Sequence, residues 1–479
     1  MRRVVASAVL SLLAASAAAF AQQAHTATRE DVSQVEPNVV LILLDDGRYD
    51  DLTTMPDVRA RIGDRGATFT HFYASFPLCC PARATLLTGQ YPHNHGVLSN
   101  TAPTGGFEEF RDSSTLATWL DPTYRTGLIG KYFNQYAPPY EPPGWDEWMV
   151  PRAMYAYKGS GWYVDRGNGG SYVTYPGYQT DTIGNLAVDF VNRNAPHTGP
   201  FFLYTSFVAP HAGNPKEADD PTGIATPAVS DLYRNRFAGL ANTDPSFNEA
   251  DVSDKPIQPR RLTAAEIAGL TEANAQRREA ELSAQDQINR ILDAIVASGE
   301  MDNTYVMFMS DNGYILGEHR IRGGKVAPYE VSNHVPMMVR GPGIAPGTVI
   351  DEVTAQVDFA PTVLSMTGAV STDPAAIDGV NLLPRMLAPA TTSISRPAVV
   401  IEATPAQATT DPPPWLYHGV VSRQWKYVER ETGLKELYDL ANDPYELQNV
   451  AGMAAYRATQ DRMASLVSTY KWCAGITCR

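Results

Sequence analysis

Short apolar runs that stop at a polar residue or a glycine recur along the chain, separated by stretches with helical spacing. Val39-Val40-Leu41-Ile42-Leu43-Leu44, between Pro37-Asn38 and Asp45-Asp46-Gly47, reads as a strand buried on both faces. The pattern returns at residues 67–74, at 124–129 closed by Gly130-Lys131, and at 201–207 ahead of Pro210-His211. It appears again at 304–310, closed by Asp311-Asn312-Gly313, and at 335–340. Helical spacing marks residues 55–66, 114–120, 187–193 and 263–298, the last with a polar face rich in Glu, Arg and Gln, and a further helix begins near Asp358. The alternation predicts an α/β fold with a large, doubly wound, mainly parallel sheet flanked by helices. The carboxyl ends of its strands then share one edge, where open α/β sheets hold their ligands.

Beyond residue 385 the spacing shortens. Residues 398–401, 418–421, 425–428 and 436–440 are strand-like and a helix runs over 453–470, which predicts a small antiparallel sheet with one helix. Residues 134–182, rich in Gly, Pro, Tyr and Trp, predict a long irregular excursion, and 212–258 a polar loop. The aromatics of the excursion (Tyr140, Trp145, Trp148, Tyr155, Trp162, Tyr163) either stack on sugar rings or pack the insertion. The chain divides into a leader (1–21), a linker (22–36), a catalytic domain (37–384) and a C-terminal α+β part (385–479).

Composition narrows the function classes. The 479 residues are 44% hydrophobic and carry a formal charge of -14 with no basic run, which argues against nucleic acid and anionic membrane partners. Arg2-Arg3 ahead of an apolar stretch ending in Ala19-Phe20-Ala21 reads as a secretory signal cleaved after Ala21, so a secreted or periplasmic protein without a membrane anchor is expected. In that setting Cys473 and Cys478 are placed to form a local disulfide, whereas a bridge between Cys79 and Cys80 would strain the peptide joining them.

Cys79-x-Pro81-x-Arg83 opens a helical run. A thiol there feels the positive end of the helix dipole, with Arg83 one turn on, so the position suits an anion or a nucleophile. Asp45-Asp46 and Asp311-Asn312 end two strands of the same sheet, and their oxygens are hard ligands suited to Ca²⁺ or Mg²⁺. Lys131, His211 and Lys325, the last in a glycine-rich loop, join Arg83 as cations that could surround a tetrahedral oxyanion. His95 and His319 are weaker substrate-side candidates.

These motifs resemble those of the type I sulfatases: Cys79-x-Pro81-x-Arg83 with Leu86-Leu87-Thr88-Gly89, Asp45-Asp46, Gly130-Lys131, Ala209-Pro210-His211, Ser310-Asp311-Asn312-Gly313, Gly324-Lys325 and the stretch from Glu436 to Pro444. Tyr91-Pro92-His93-Asn94-His95, Lys131-Tyr132-Phe133-Asn134 and Pro245-Ser246-Phe247-Asn248-Glu249 look closest to the N-acetylglucosamine-6-sulfatase branch. The resemblance implies an alkaline-phosphatase-like sandwich, conversion of Cys79 to formylglycine by a maturation enzyme, and Ca²⁺ held by Asp45, Asp46, Cys79, Asp311 and Asn312. It also implies hydrolysis of a sulfated sugar or aryl sulfate, with Arg83, Lys131 and Lys325 on the sulfuryl group and His211 protonating the leaving alcohol. The alternatives are a phosphonate monoester or phosphodiester hydrolase on the same scaffold and a glycan-binding pseudoenzyme. Two departures stand out: Phe133 replaces the histidine that many members carry, a change the 6-sulfatase-like branch shares, and Ala82 replaces the commoner serine.

Overall fold

The computed structural model describes residues 36–195 and 199–479. The expected leader and most of the linker lie outside the described residues, and among the described ones no helix is long and apolar enough to cross a membrane. The strands are β1 (Asn38–Asp45), β2 (Ala67–Phe69), β3 (Phe72–Tyr73), β4 (Arg125–Gly130), β5 (Glu147–Pro151), β6 (Lys158–Asp165), β7 (Ser171–Tyr178) and β8 (Phe201–Pro210). They continue with β9 (Thr304–Ser310), β10 (Met337–Arg340), β11 (Thr348–Ile350), β12 (Thr354–Ala355), β13 (Val399–Ala403), β14 (Tyr417–Val421), β15 (Trp425–Arg430) and β16 (Lys435–Asp439). The helices that position the site are α1 (Cys79–Thr88), α2 (Gln179–Asn194), α3 (Ala264–Ala297), α4 (Phe359–Thr367) and α5 (Arg457–Tyr470).

Among the described residues ten strands form one mixed sheet in the order β11-β2-β10-β9-β1-β8-β4-β5-β6-β7. Its centre is parallel: β1 lies between β8 and β9, and β4 runs parallel to β8 and β5. The outer strands β10, β6 and β7 run antiparallel to their inner neighbours. The continuous apolar run of β1 follows from double coverage. Val39, Leu41 and Leu43 pack with Ala84, Leu86 and Leu87 of α1 and with Phe359 and Val363 of α4. Val40, Ile42 and Leu44 point the other way, onto Ile183 and Phe190 of α2 and Ile288, Ile291 and Ile295 of α3. A reciprocal cap starts α3: the Glu266 amide donates to Thr263 Oγ1 (3.3 Å) and the Thr263 amide to Glu266 Oε2 (2.8 Å).

Three expectations change. The aromatic excursion is not irregular throughout, because β5, β6 and β7 lie within it and extend the sheet. Trp148 and Trp162 are fully buried in that extension, so these rings pack; the Gly and Pro between the strands concealed a period-two pattern. Residues 67–74 are two strands, since β3 leaves the large sheet to pair with β12. The face of α3 that reads as polar is largely buried, with Gln276, Arg277, Glu279 and Glu281 all shielded. The C-terminal part is an antiparallel sheet in the order β13-β14-β15-β16, with α5 contributing Met463, Val467 and Tyr470 to its core. Residues Pro37–Arg479 gather into one compact unit. Cys473 and Cys478 are joined as a disulfide.

Candidate active site

The carboxyl ends of β1, β4, β8 and β9 meet the first turn of α1. Asp45 and Asp46 end β1, with Asp46 in the left-handed region (φ 68°), a strained conformation for a residue with a Cβ. Arg277 of α3 braces it, donating to the Asp46 carbonyl (2.5 Å) and to the Pro210 carbonyl (3.2 Å). The turn aims Asp46 at the end of β9, where its amide donates to Asp311 Oδ1 (3.1 Å) and its carboxylate accepts from Asn312 Nδ2 (2.6 Å). Cys79, the first residue of α1, lies with Sγ 3.5 Å from Asp45 Oδ1 and 2.9 Å from Lys325 Nζ. Lys131 pairs with Asp45, and Lys325 with Asp46. His211 Nε2 stands 3.8 Å from Asp46 Oδ2. Asp45, Asp46, Cys79, Lys131, Asp311 and Asn312 are shielded from water.

Arg83 faces inward from α1. Its Nε donates to Asp311 Oδ2 (2.9 Å), and its Nη1 to the Lys131 carbonyl (3.0 Å) and Ser206 Oγ (2.8 Å). It therefore braces a carboxylate and the Lys131 loop, 4.0 Å from Asp45.

The electrostatics follow from burying opposite charges together. Burial opposes ionisation of Asp45, but Lys131, His211 and Arg83 hold its carboxyl well below the usual range. Burial likewise works against Lys131 and Lys325, which Asp45 and Asp46 respectively keep charged. Asp311 goes the other way, pushed up to about 6 by burial and by the neighbouring Asp45. Burial and Asp45 push the Cys79 thiol up to about 11, so the helix dipole and Arg83 do not activate it as expected. Donor atoms of Asp45, Asp46, Cys79 and His211 all lie within 4.8 Å of one another. Asn312 Oδ1 is buried with no hydrogen-bond partner. A carboxylate-rich donor set with an orphaned amide oxygen fits a hard divalent cation.

A family model described as Sulfatase matches residues 37–369, and one described as N-sulphoglucosamine sulphohydrolase, C-terminal, matches 317–471. The chain belongs to the sulfatase family of enzymes. The goat N-acetylglucosamine-6-sulfatase is 29% identical over 491 residues, 92% of this chain and 85% of that protein. A Drosophila melanogaster extracellular sulfatase SULF-1 homolog is 32% identical over 393 residues, but the match spans only 33% of its length. A solved structure of a protein in complex with its substrate, D-glucosamine-2-N,6-O-disulfate, superposes with a TM-score of 0.71 at 23% identity, covering 90% of this chain and 97% of that one. The fold is the alkaline-phosphatase-like sandwich of this family.

Within the sulfatase fold, Asp45, Asp46, Cys79, Arg83, Lys131, His211, Asp311, Asn312 and Lys325 come together, although the sequence scatters them over 281 positions. His95 and His319 are held in other contacts. His95 Nδ1 accepts from the Val97 amide (3.1 Å), so its proton sits on Nε2, facing Thr85 Oγ1 (3.1 Å). Burial drives its pKa down to about 3, which makes it a neutral brace behind α1. His319 pairs with Glu249 (2.7 Å) and lies against the Tyr329 ring (4.0 Å). Phe133 stacks on Phe110 at 4.3 Å, filling its position with apolar packing. Cys80 is a structural neighbour: its amide donates to Asn100 Oδ1 (2.9 Å) and its sulfur accepts from the Asn134 amide (3.2 Å).

Ser206, Arg277 and Gln356 escape the sequence reading, and Tyr155, expected either to stack on a sugar or to pack the insertion, lies instead against His211 with ring centroids 4.4 Å apart. Gln356 Nε2 donates to the Ser310 and Asp311 carbonyls (2.9 and 2.6 Å), fixing the end of β9. Ser206 could have been found, because with Thr205 it interrupts the apolar run of β8. Arg277 had no signal, lying in a helix whose charged residues resemble a solvated face.

Proposed function

We propose that this protein is an exported hydrolase of sulfate monoesters whose nucleophile is formylglycine made from Cys79. Asp45, Asp46, Asp311 and Asn312 would hold a divalent cation, Ca²⁺ or Mg²⁺. The observation that carries the reading is the paired floor of the site: Lys131 on Asp45 and Lys325 on Asp46, with Cys79 Sγ touching Asp45 and Lys325. When bound, the cation lowers the pKa of an oxygen at position 79 and offsets negative charge on the sulfuryl group. Formylglycine, as its hydrate, supplies an oxygen nucleophile and a second hydroxyl through which sulfate can be expelled.

The chain's own side chains do the rest. Lys131 and Lys325 are the cations nearest position 79, and they orient and neutralise the sulfuryl oxygens. Arg83, turned inward, keeps Asp311 and the Lys131 loop in place. As the sulfur–oxygen bond to the alcohol breaks, its electron pair goes to the departing oxygen, and His211 in its protonated form, which burial disfavours and Asp45 and Asp46 support, delivers its Nε2 proton there. His211 Nδ1–H donates to the Ala212 carbonyl (2.6 Å), which leaves Nε2 facing the site.

The leaving alcohol belongs to a 6-O-sulfated amino sugar in this reading, supported by the near full-length match to the goat N-acetylglucosamine-6-sulfatase. Export is supported by the N-terminal apolar run and by the extracellular naming of the Drosophila relative. The test pairs mass spectrometry of the Cys79 peptide with turnover of sulfated mono- and disaccharides, an aryl sulfate and matched phosphate and phosphonate esters. Formylglycine at position 79 and preference for a 6-O-sulfated amino sugar are expected. An active enzyme with an unmodified thiol, or faster phosphonate cleavage, would overturn the reading.

A further inference from the structure

One residue of the aromatic insertion reaches the catalytic floor. Tyr155 lies between β5 and β6, in the segment that leaves the extended sheet and returns to it. Its ring stacks on the His211 imidazole with centroids 4.4 Å apart and planes within 16°. The Lys131 ammonium stands 5.0 Å from the centre of the same ring. The Tyr155 hydroxyl donates to Asn134 Oδ1 (3.2 Å), in the loop that follows Lys131. Tyr155 thus touches two side chains of the site, Lys131 and His211, that follow different strands.

The backbone supports this placement. The Asn214 amide donates to the Tyr155 carbonyl and the Tyr157 amide to the Asn214 carbonyl, both at 2.7 Å, zipping the insertion to the loop that carries His211. Tyr157 adds a bond from its hydroxyl to the His211 carbonyl (2.7 Å). These contacts fix the main chain around His211; its ring is held by the Nδ1–H bond to Ala212 and the face of Tyr155, with the Asp46 carboxylate 3.8 Å from Nε2. One hydrogen bond permits rotation about its own axis. A flat ring at stacking distance removes that freedom and fixes the imidazole plane.

We propose that Tyr155 is the positioning residue for the leaving-group acid: the face of its ring fixes the plane of His211 and so the direction in which Nε2 delivers its proton. The inference rests on the reading of His211 as that acid. It predicts dependence on the leaving group. An alkyl alcohol of a sugar needs protonation as it departs, whereas nitrophenolate leaves without it.

The test compares kcat for a sugar 6-O-sulfate and for 4-nitrophenyl sulfate in Tyr155→Ala, Tyr155→Phe and His211→Gln, each normalised to its formylglycine content. Tyr155→Ala should lower kcat on the sugar ester by roughly 10- to 100-fold, the range set by misplacing a catalytic group, and change the nitrophenyl ester less than about threefold. Tyr155→Phe, which keeps the ring, should restore both rates. Should the alanine variant fail to fold, Tyr155→Leu fills the volume without a flat face and is read in its place. Equal losses on both esters, or a phenylalanine variant as impaired as alanine, would overturn the inference. His211→Gln separates the two ideas. Equal losses in that variant refute the acid itself, whereas selective loss there with none in Tyr155→Ala refutes only the positioning by Tyr155.

Discussion

Gly130 sits where β4 hands over to Lys131, and it is the place where one added methyl should disable the site while leaving the fold. Its backbone is at φ 110°, and a Cβ there would meet the Ser206 carbonyl oxygen at 1.9 Å. Real contacts of this kind do not fall below 3.0 Å, so Gly130→Ala must drive the two strands apart by about 1.1 Å. The hydrogen bond from the Lys131 amide to the Ser206 carbonyl (3.0 Å) closes at this point, and Ser206 Oγ in turn holds Arg83. The shift therefore acts on Lys131 and Arg83 together. Left-handed strain costs about 1–2 kcal/mol and a weakened hydrogen bond about 1 kcal/mol. With an unfolding entropy of about 2.1 cal/mol/K per residue over ~440 residues, that lowers Tm by only about 2–3 °C. A displacement near 1 Å at the reacting centre costs on the order of 100-fold in rate. Steady-state turnover of a sulfate ester, normalised to formylglycine content and run beside thermal unfolding, reads both effects. Retention of activity within about threefold would refute the reasoning, as would a loss that merely tracks the unfolded fraction.

Two further outcomes are expected away from the reacting atoms. His93 Nδ1 lies 2.9 Å from Glu402; burial opposes its charge, but Glu402 raises its pKa above the ordinary 6.5, while burial of Glu402 is outweighed by His93, which holds that carboxyl at about 2. Stability from His93 is thus complete below pH 6.5 and lost as pH rises through the raised value, and that from Glu402 is present above 4.5 and lost as pH falls through about 2. Urea unfolding should show the gap between the parent and His93→Gln widest near pH ~5–6 and narrowing at alkaline pH; a gap that grows with pH would contradict the pairing. For the metal, adding Ca²⁺ to chelator-treated protein at about 100 times its Kd should stabilise it by roughly 2.7 kcal/mol, about 3 °C in Tm. Asp46→Ala and Asn312→Ala should lose that response, and unchanged midpoints in the parent protein would remove the cation from the site.

The legible part of the chain is that in which local pattern and chemistry coincide. An unbroken apolar run such as Val39–Leu44 is uncommon outside a doubly covered strand, and it duly packs against helices on both faces. Polar residues that end such runs fall on one edge because parallel strands share a direction, and this brings Asp45-Asp46 and Asp311-Asn312 to the same place. Where pattern was diluted, as by the glycines and prolines around β5 to β7, pairing between distant segments decided the structure.

By itself, then, the sequence determined the layered α/β class, the edge on which chemistry gathers and most of the charged groups there, since residue type, strand ends and short motifs encode these locally. Only the tertiary structure decided which cation pairs with which carboxylate, that Arg83 turns inward to Asp311, and that Cys79 as a thiol is held un-ionised. It also decided that Arg277 fixes Asp46 and that Tyr155 lies on His211. Those outcomes depend on burial and on angstrom-scale approach between segments up to 279 residues apart. Spacing along one chain carries no record of such distances.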